Sequence, residues 1–136
     1  MNEEEKKEQF KMNMASHDFY SNRCLEVEEE LMDMFDELDA EKEELNEELG
    51  KNIIDKGNSY LNLSTKFMQE LDRMEQFAPN LQEIMFGDGA DEEIFKFYLY
   101  NLKGVRESQM TVHNQLQIKL NLIQKLIDGN GYGSYD

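Results

Sequence analysis

Residues 25–49, LEVEEELMDMFDELDAEKEELNEEL, decide the reading of this chain. Leu31, Phe35, Leu38, Leu45 and Leu49 recur at steps of three, four and seven, with Glu28 and Lys42 in the slots where the stripe skips. That spacing lays one narrow apolar seam along a helix. The opposite side carries Glu29, Glu30, Asp33, Asp36, Glu37, Glu43, Glu44 and Glu47, so the outer side of the helix is anionic and the seam must meet a partner.

Outward from this stretch the apolar pattern continues. Ile53, Tyr60, Leu63, Phe67, Leu71, Met74 and Phe77 prolong the seam after a shift of one residue between Leu49 and Ile53, as a stutter does in a coiled coil. Gly50, Gly57, Asn58 and Ser59 weaken the helix in between, each Gly by about 1 kcal/mol relative to Ala. A continuous helix over 17–77 would be roughly 90 Å long, and a bend near residues 50–59 is the alternative. Pro79 stops it, because the residue before a proline is pushed out of the α region. LQEIMF then makes a short turn, and Gly87 and Gly89 allow the reversal over 78–90.

A last helix is predicted over 91–128, with Phe95, Tyr98, Leu102, Val105, Gln109, Val112, Leu116, Leu120, Ile123 and Ile127 on one seam. It is expected to end at Gly129. The fold class is therefore all-α: a long antiparallel helical hairpin or coiled coil, completed to a bundle either by the bend near 50–59 or by self-association. Residues 1–16 read as a flexible charged arm, with Ser16 or Asp18 capping the helix that follows, and 129–136 as a flexible Gly/Tyr tail.

The hairpin has unequal arms. Folded back from the connection, the second helix covers the first only to about residue 40, which leaves Phe19, Tyr20, Leu25, Leu31, Met32, Met34, Phe35 and Leu38 uncovered. Each such side chain gains about 1.5–3 kcal/mol on burial, so association is expected, with Leu31, Met34, Phe35 and Leu38 as the apolar contact.

Charge limits what the partner can be. The 136-residue chain carries a formal charge of -16, and fourteen acids against two bases fall between His17 and Gly50. Such a surface repels phosphate, so direct contact with nucleic acid or an anionic membrane face is not expected; a basic or apolar protein surface, including a second copy, is. The alternative is an inhibitor whose Glu29, Asp33, Asp36, Glu37, Glu43, Glu44 and Glu47 stand in for phosphates in the basic groove of a DNA- or RNA-binding protein.

Catalytic and cofactor chemistry find no support in the residues. His17 and His113 lie far apart, outside any E-x-x-H pattern, and the single cysteine, Cys24, has no thiol partner, so no metal site is expected. Asp88, Gly89, Ala90 and Asp91 lack the ligand spacing of a calcium loop. No nucleophile elbow or phosphate-cradling glycine loop is present, and Gly129, Gly131 and Gly133 follow a helix instead of opening one. The expectation is a non-enzyme without cofactor. With no apolar leader and no disulfide framework, a cytoplasmic location follows.

Overall fold

The computed structural model describes residues 1–40, 46–86 and 92–131, without the side chains of 83–86, 92, 94, 130 and 131. Three α-helices occupy these residues: α1 (Glu3–Ala40), α2 (Glu47–Phe86) and α3 (Glu92–Gly131). The protein is thus all-α, but it has three helices where a hairpin has two. The first predicted helix is divided between Ala40 and Glu47, before the stretch where the bend was expected.

Local chemistry accounts for the boundaries. Asn2 accepts a hydrogen bond from the Glu5 amide at 2.8 Å through Oδ1, while Glu5 Oε1 accepts one from the Asn2 amide at 3.2 Å. This reciprocal capping box starts α1 at Glu3, so residues 3–16 are helical where the sequence reading expects a flexible arm, and the cap is Asn2 in place of Ser16 or Asp18. Asn46 plays the same part for α2, its Oδ1 accepting from the Leu49 amide at 3.1 Å. From there α2 runs unbroken through Gly50–Ser59.

The two glycines have a tertiary purpose. A Cβ on Gly57 would stand 2.6 Å from Leu120 Cδ1, and one on Gly50 would stand 3.1 Å from Ile127 Cδ1. Their missing side chains let α3 sit directly on the α2 backbone. The propensity lost at each is offset by this close approach, which is why the helix does not break there.

Pro79 also fails to end α2, which continues to Phe86 and absorbs the LQEIMF turn. Proline removes one backbone hydrogen bond and costs about 3 kcal/mol in a helix interior. Ala78 and Leu81, on either side of it, are fully buried. The first turns of α1 reach this end, where Gln9 and Asn13 share a recess with Arg73, Phe77 and Asn80. Packing from the unexpectedly helical N-terminus thus carries α2 through its proline. Residues 41–45, 87–91 and 132–136, which include Leu45, Glu43, Glu44 and most of the predicted tail, lie outside the described residues; α3 itself extends past Gly129 to Gly131.

Helix α2 is the centre of the arrangement. Glu30 pairs with Lys56 and the His17 ring meets Phe67 at 5.5 Å between centroids. As residue numbers fall along α1 they rise along α2, so the two are antiparallel. Arg106–Asp72, Gln109–Ser64 and Leu120–Gly57 set α3 antiparallel on the other side. The stretch predicted to overhang is therefore folded back on α2, and Cys24, Val27 and Leu31 are buried. The core joins them to Ile53, Tyr60, Phe67 and Leu71 of α2 and to Leu102, Leu116, Leu120 and Ile123 of α3.

Candidate functional site

Among the described residues, α1 and α3 pack on adjacent faces of α2 and bring their backbones together nowhere. A groove runs between them. Where Lys119 of α3 lies over the Phe35 ring of α1, 5.2 Å from its centroid, side chains bridge the gap. Beside that bridge is a recess of about 150 Å³ lined by Glu28, Leu31, Met32, Phe35, Tyr60, Val112, Leu116 and Lys119. Small-molecule sites usually need about 300–1,000 Å³. This volume suits a single anchoring side chain.

The floor of the groove is polar but fully engaged. Gln109, which interrupts the apolar seam of α3, donates through Nε2 to Tyr60 Oη and to Ser64 Oγ, both at 2.8 Å. Ser64 Oγ is also hydrogen-bonded to His113 Nδ1 at 2.9 Å. Tyr60 and Ser64 are completely buried, and Gln109 nearly so. A satisfied polar network inside an apolar seam fixes one register between α2 and α3, as a buried Asn does in a coiled coil. Burial, opposed by the Gln109 hydrogen bond, raises the Tyr60 pKa above that of an ordinary phenol. It also pushes the Cys24 thiol up to about 11, with Glu28 adding to the shift. Both groups stay neutral and unreactive near neutral pH.

The residues expected to carry partner binding divide into two groups. Leu31 is 4% exposed and belongs to the internal core, and Met34, Phe35 and Leu38 pack half-buried against it. Their apolar area is therefore satisfied largely within the chain, because α1 turns back onto α2. Phe35 and Leu31 still form part of the recess wall. Met32 and Leu25, seven residues apart on the same side of α1, are 64% and 58% exposed and present the free apolar surface. Glu29, Asp33, Asp36, Glu37 and Glu47 of the acidic set are all exposed.

A second apolar row lies outside every seam read from the sequence. Phe97, Tyr100, Ile118, Leu122 and Leu126 of α3 are exposed. The signal was present as the i, i+4 repeat at 118, 122 and 126, but the stronger row of Leu and Ile on the core side masks it.

No group of three His, Cys, Asp or Glu suited to a metal ion occurs among the described residues. None of their helices is long and apolar enough to cross a membrane. Comparison with protein-family models, with curated proteins and with solved structures finds no match in any of the three.

Proposed function

We propose that this chain is a non-enzymatic, acidic cytoplasmic protein that acts through protein–protein interaction, as an assembly factor, adaptor or structural subunit. One observation carries the reading: α1 and α3 share α2 without bringing their backbones together, and the groove left between them has an apolar socket with an anionic α1 rim. Its occupant is an amphipathic helix of another protein. One Leu- or Phe-sized side chain enters the socket, and flanking Lys or Arg meets Glu28, Glu29 and Asp36. Completion of the helices to a larger bundle by a second copy belongs to the same reading.

Affinity capture with paired variants tests it. Met32→Asp with Leu25→Asp changes two exposed positions, so the fold should survive while a specifically bound protein is lost. Capture that is identical for wild type and this double variant overturns the reading.

A second reading is the inhibitor that occupies a nucleic-acid-binding groove. Its support is the exposed run Glu29, Asp33, Asp36 and Glu37, none of which forms an ion pair among the described residues. In that case capture would fall steeply with salt and be competed by DNA. Neutralising Asp36 and Glu37 would abolish it, and Met32→Asp would leave it intact.

A further inference from the structure

We propose that the outer face of α3 is the docking surface for a second copy of this chain, the two α3 helices packing antiparallel about a two-fold axis near Thr111. The proposal rests on the reading of the chain as an associating protein but uses a surface that meets the α1 socket only at Gln115.

The argument begins with what α3 leaves unused. Its core face is occupied by Leu102, Leu116, Leu120, Ile123 and Ile127. About a third of a turn around the helix, at 100° per residue, runs the second row. Phe97 and Tyr100 are 64% and 74% exposed at one end, and Ile118, Leu122 and Leu126 are 60%, 55% and 56% exposed at the other. Gly104, Ser108, Thr111 and Gln115 join the two ends at steps of three and four, and no charged residue falls in the row. A shallow trough follows it past Tyr100, Gly104 and Ser108.

Gly104 is the second observation. Gly50 and Gly57 are small because α3 presses on them, but a Cβ on Gly104 would meet nothing within 4 Å. Inside a 40-residue helix this glycine lowers stability without serving any contact of its own chain. A helix that approaches from outside would make use of it.

The order of side chains identifies that helix. Large residues stand at both ends of the row and small or uncharged ones in its middle. Antiparallel pairing about Thr111 sets Gly104 against the Ile118 of the second copy and Tyr100 against its Leu122, and brings Phe97 within one residue step of its Leu126. Each large side chain then meets an aliphatic group or a gap, and the match is the same from either side, as an isologous contact requires. Parallel pairing would place Gly104 on Gly104 and leave that gap empty.

Charge favours the same face. α1 holds thirteen acids and four bases, whereas α3 holds four acids and five bases. Two copies of a chain at -16 repel. Meeting through α3 brings them together on the near-neutral helix and keeps the acidic α1 helices apart. Five large side chains more than half exposed along one row, with its polar rim, make a face of the kind that supplies the ~800 Å² per partner of a standard interface.

The experiment is light scattering on the full chain from about 5 to 200 µM, in low and high salt. The expected mass is twice the 16.1 kDa of one chain, with the dimer tightened by salt as the like charges are screened. Ile118→Glu with Leu122→Glu, both at exposed positions, should raise the dimer Kd at least 100-fold without changing helicity, and Met32→Asp should leave it unchanged. Thr111→Cys should form an intermolecular disulfide on mild oxidation, against a wild type whose only thiol is buried. A wild type that stays monomeric across this range overturns the proposal, as does a dimer indifferent to Ile118→Glu. Loss of captured partners without loss of the dimer would separate failure of the α1 socket from failure of this inference.

Discussion

Helices α1 and α3 are nearly equal in length, at 38 and 40 residues, and both lie antiparallel on α2, yet they are held in different ways. Two glycines of α2 let α3 close in, and a buried Gln–Tyr–Ser–His network fixes its register. α1 is joined by apolar side chains and, among the described residues, by one ion pair nearer the surface, Glu30–Lys56, and it carries most of the negative charge. The difference teaches which helix the fold needs in one exact place. A shift of α3 strands buried polar groups and drives side chains into backbone. A shift of α1 moves Cys24, Val27 and Leu31 out of the core but meets no glycine-seated backbone, and the carboxylates of its outer face stay solvated, so that face is free to be specified by charge.

The largest effect should come from filling the seat of α3. Gly57→Leu puts a side chain where even a Cβ stands 2.6 Å from Leu120. Overpacking of this kind costs about 1–3 kcal/mol, and because the Leu120 side chain it meets is itself buried in the core, this case falls at the upper end. Urea unfolding of dilute protein should show the loss, while Gly104→Leu, with open space before it, should show little. Equal losses at the two glycines would erase the distinction between them.

Next is the network beneath the groove. Gln109→Leu keeps the apolar volume but removes both hydrogen bonds donated to Tyr60 and Ser64. A buried polar group left without its partner costs about 1–3 kcal/mol. The loss should be accompanied by weaker register, seen as faster amide exchange along α3. A Leu variant as stable and as protected as wild type would mean that glycine contacts alone position this helix.

Much of this arrangement is legible in the sequence, and the failures share a cause. The seams through Ile53, Tyr60, Phe67 and Leu71 and through Leu102, Leu116, Leu120 and Ile123 are the observed core, because a 3–4 repeat over many turns has few other solutions. Gln109 was visible as the polar exception within its seam. Pro79 and Gly57 misled because their local cost is real and only contacts from distant helices offset it. The capping box of Asn2 and Glu5 was available in the sequence, but it opens a stretch so charged that composition outweighs it. For the candidate site, exposure of Met32 and burial of Leu31 depend on where α1 turns back, which one helix's periodicity does not encode.

A smaller effect, of opposite sign, is expected at Gly104. In the monomer, Gly104→Ala should add roughly 1 kcal/mol of stability from helix propensity alone. At concentrations where two copies associate, the added methyl occupies the gap opposite Ile118, so the gain should shrink or reverse. Unfolding midpoints measured across a protein dilution series separate the two contributions. A gain of the same size at every concentration would place the contact between copies elsewhere.

The smallest effect concerns the charged fastening of α1. Hydrogen bonding to Lys56, with its positive charge adding to it, lowers the Glu30 carboxyl pKa below the ordinary glutamate value. A carboxyl whose folded pKa is depressed binds fewer protons in the native state than in the unfolded chain. Its contribution is therefore fully present above the ordinary pKa and is lost as pH falls through the lowered one. Glu30→Gln should remove that dependence, so wild type and variant differ at neutral pH and converge in acid. Both side chains are open to solvent, which keeps the difference small and screened by salt. If the gap between wild type and Glu30→Gln instead matched that of Gln109→Leu, α1 would be held as tightly as α3, and the freedom ascribed to its charge would have to be given up.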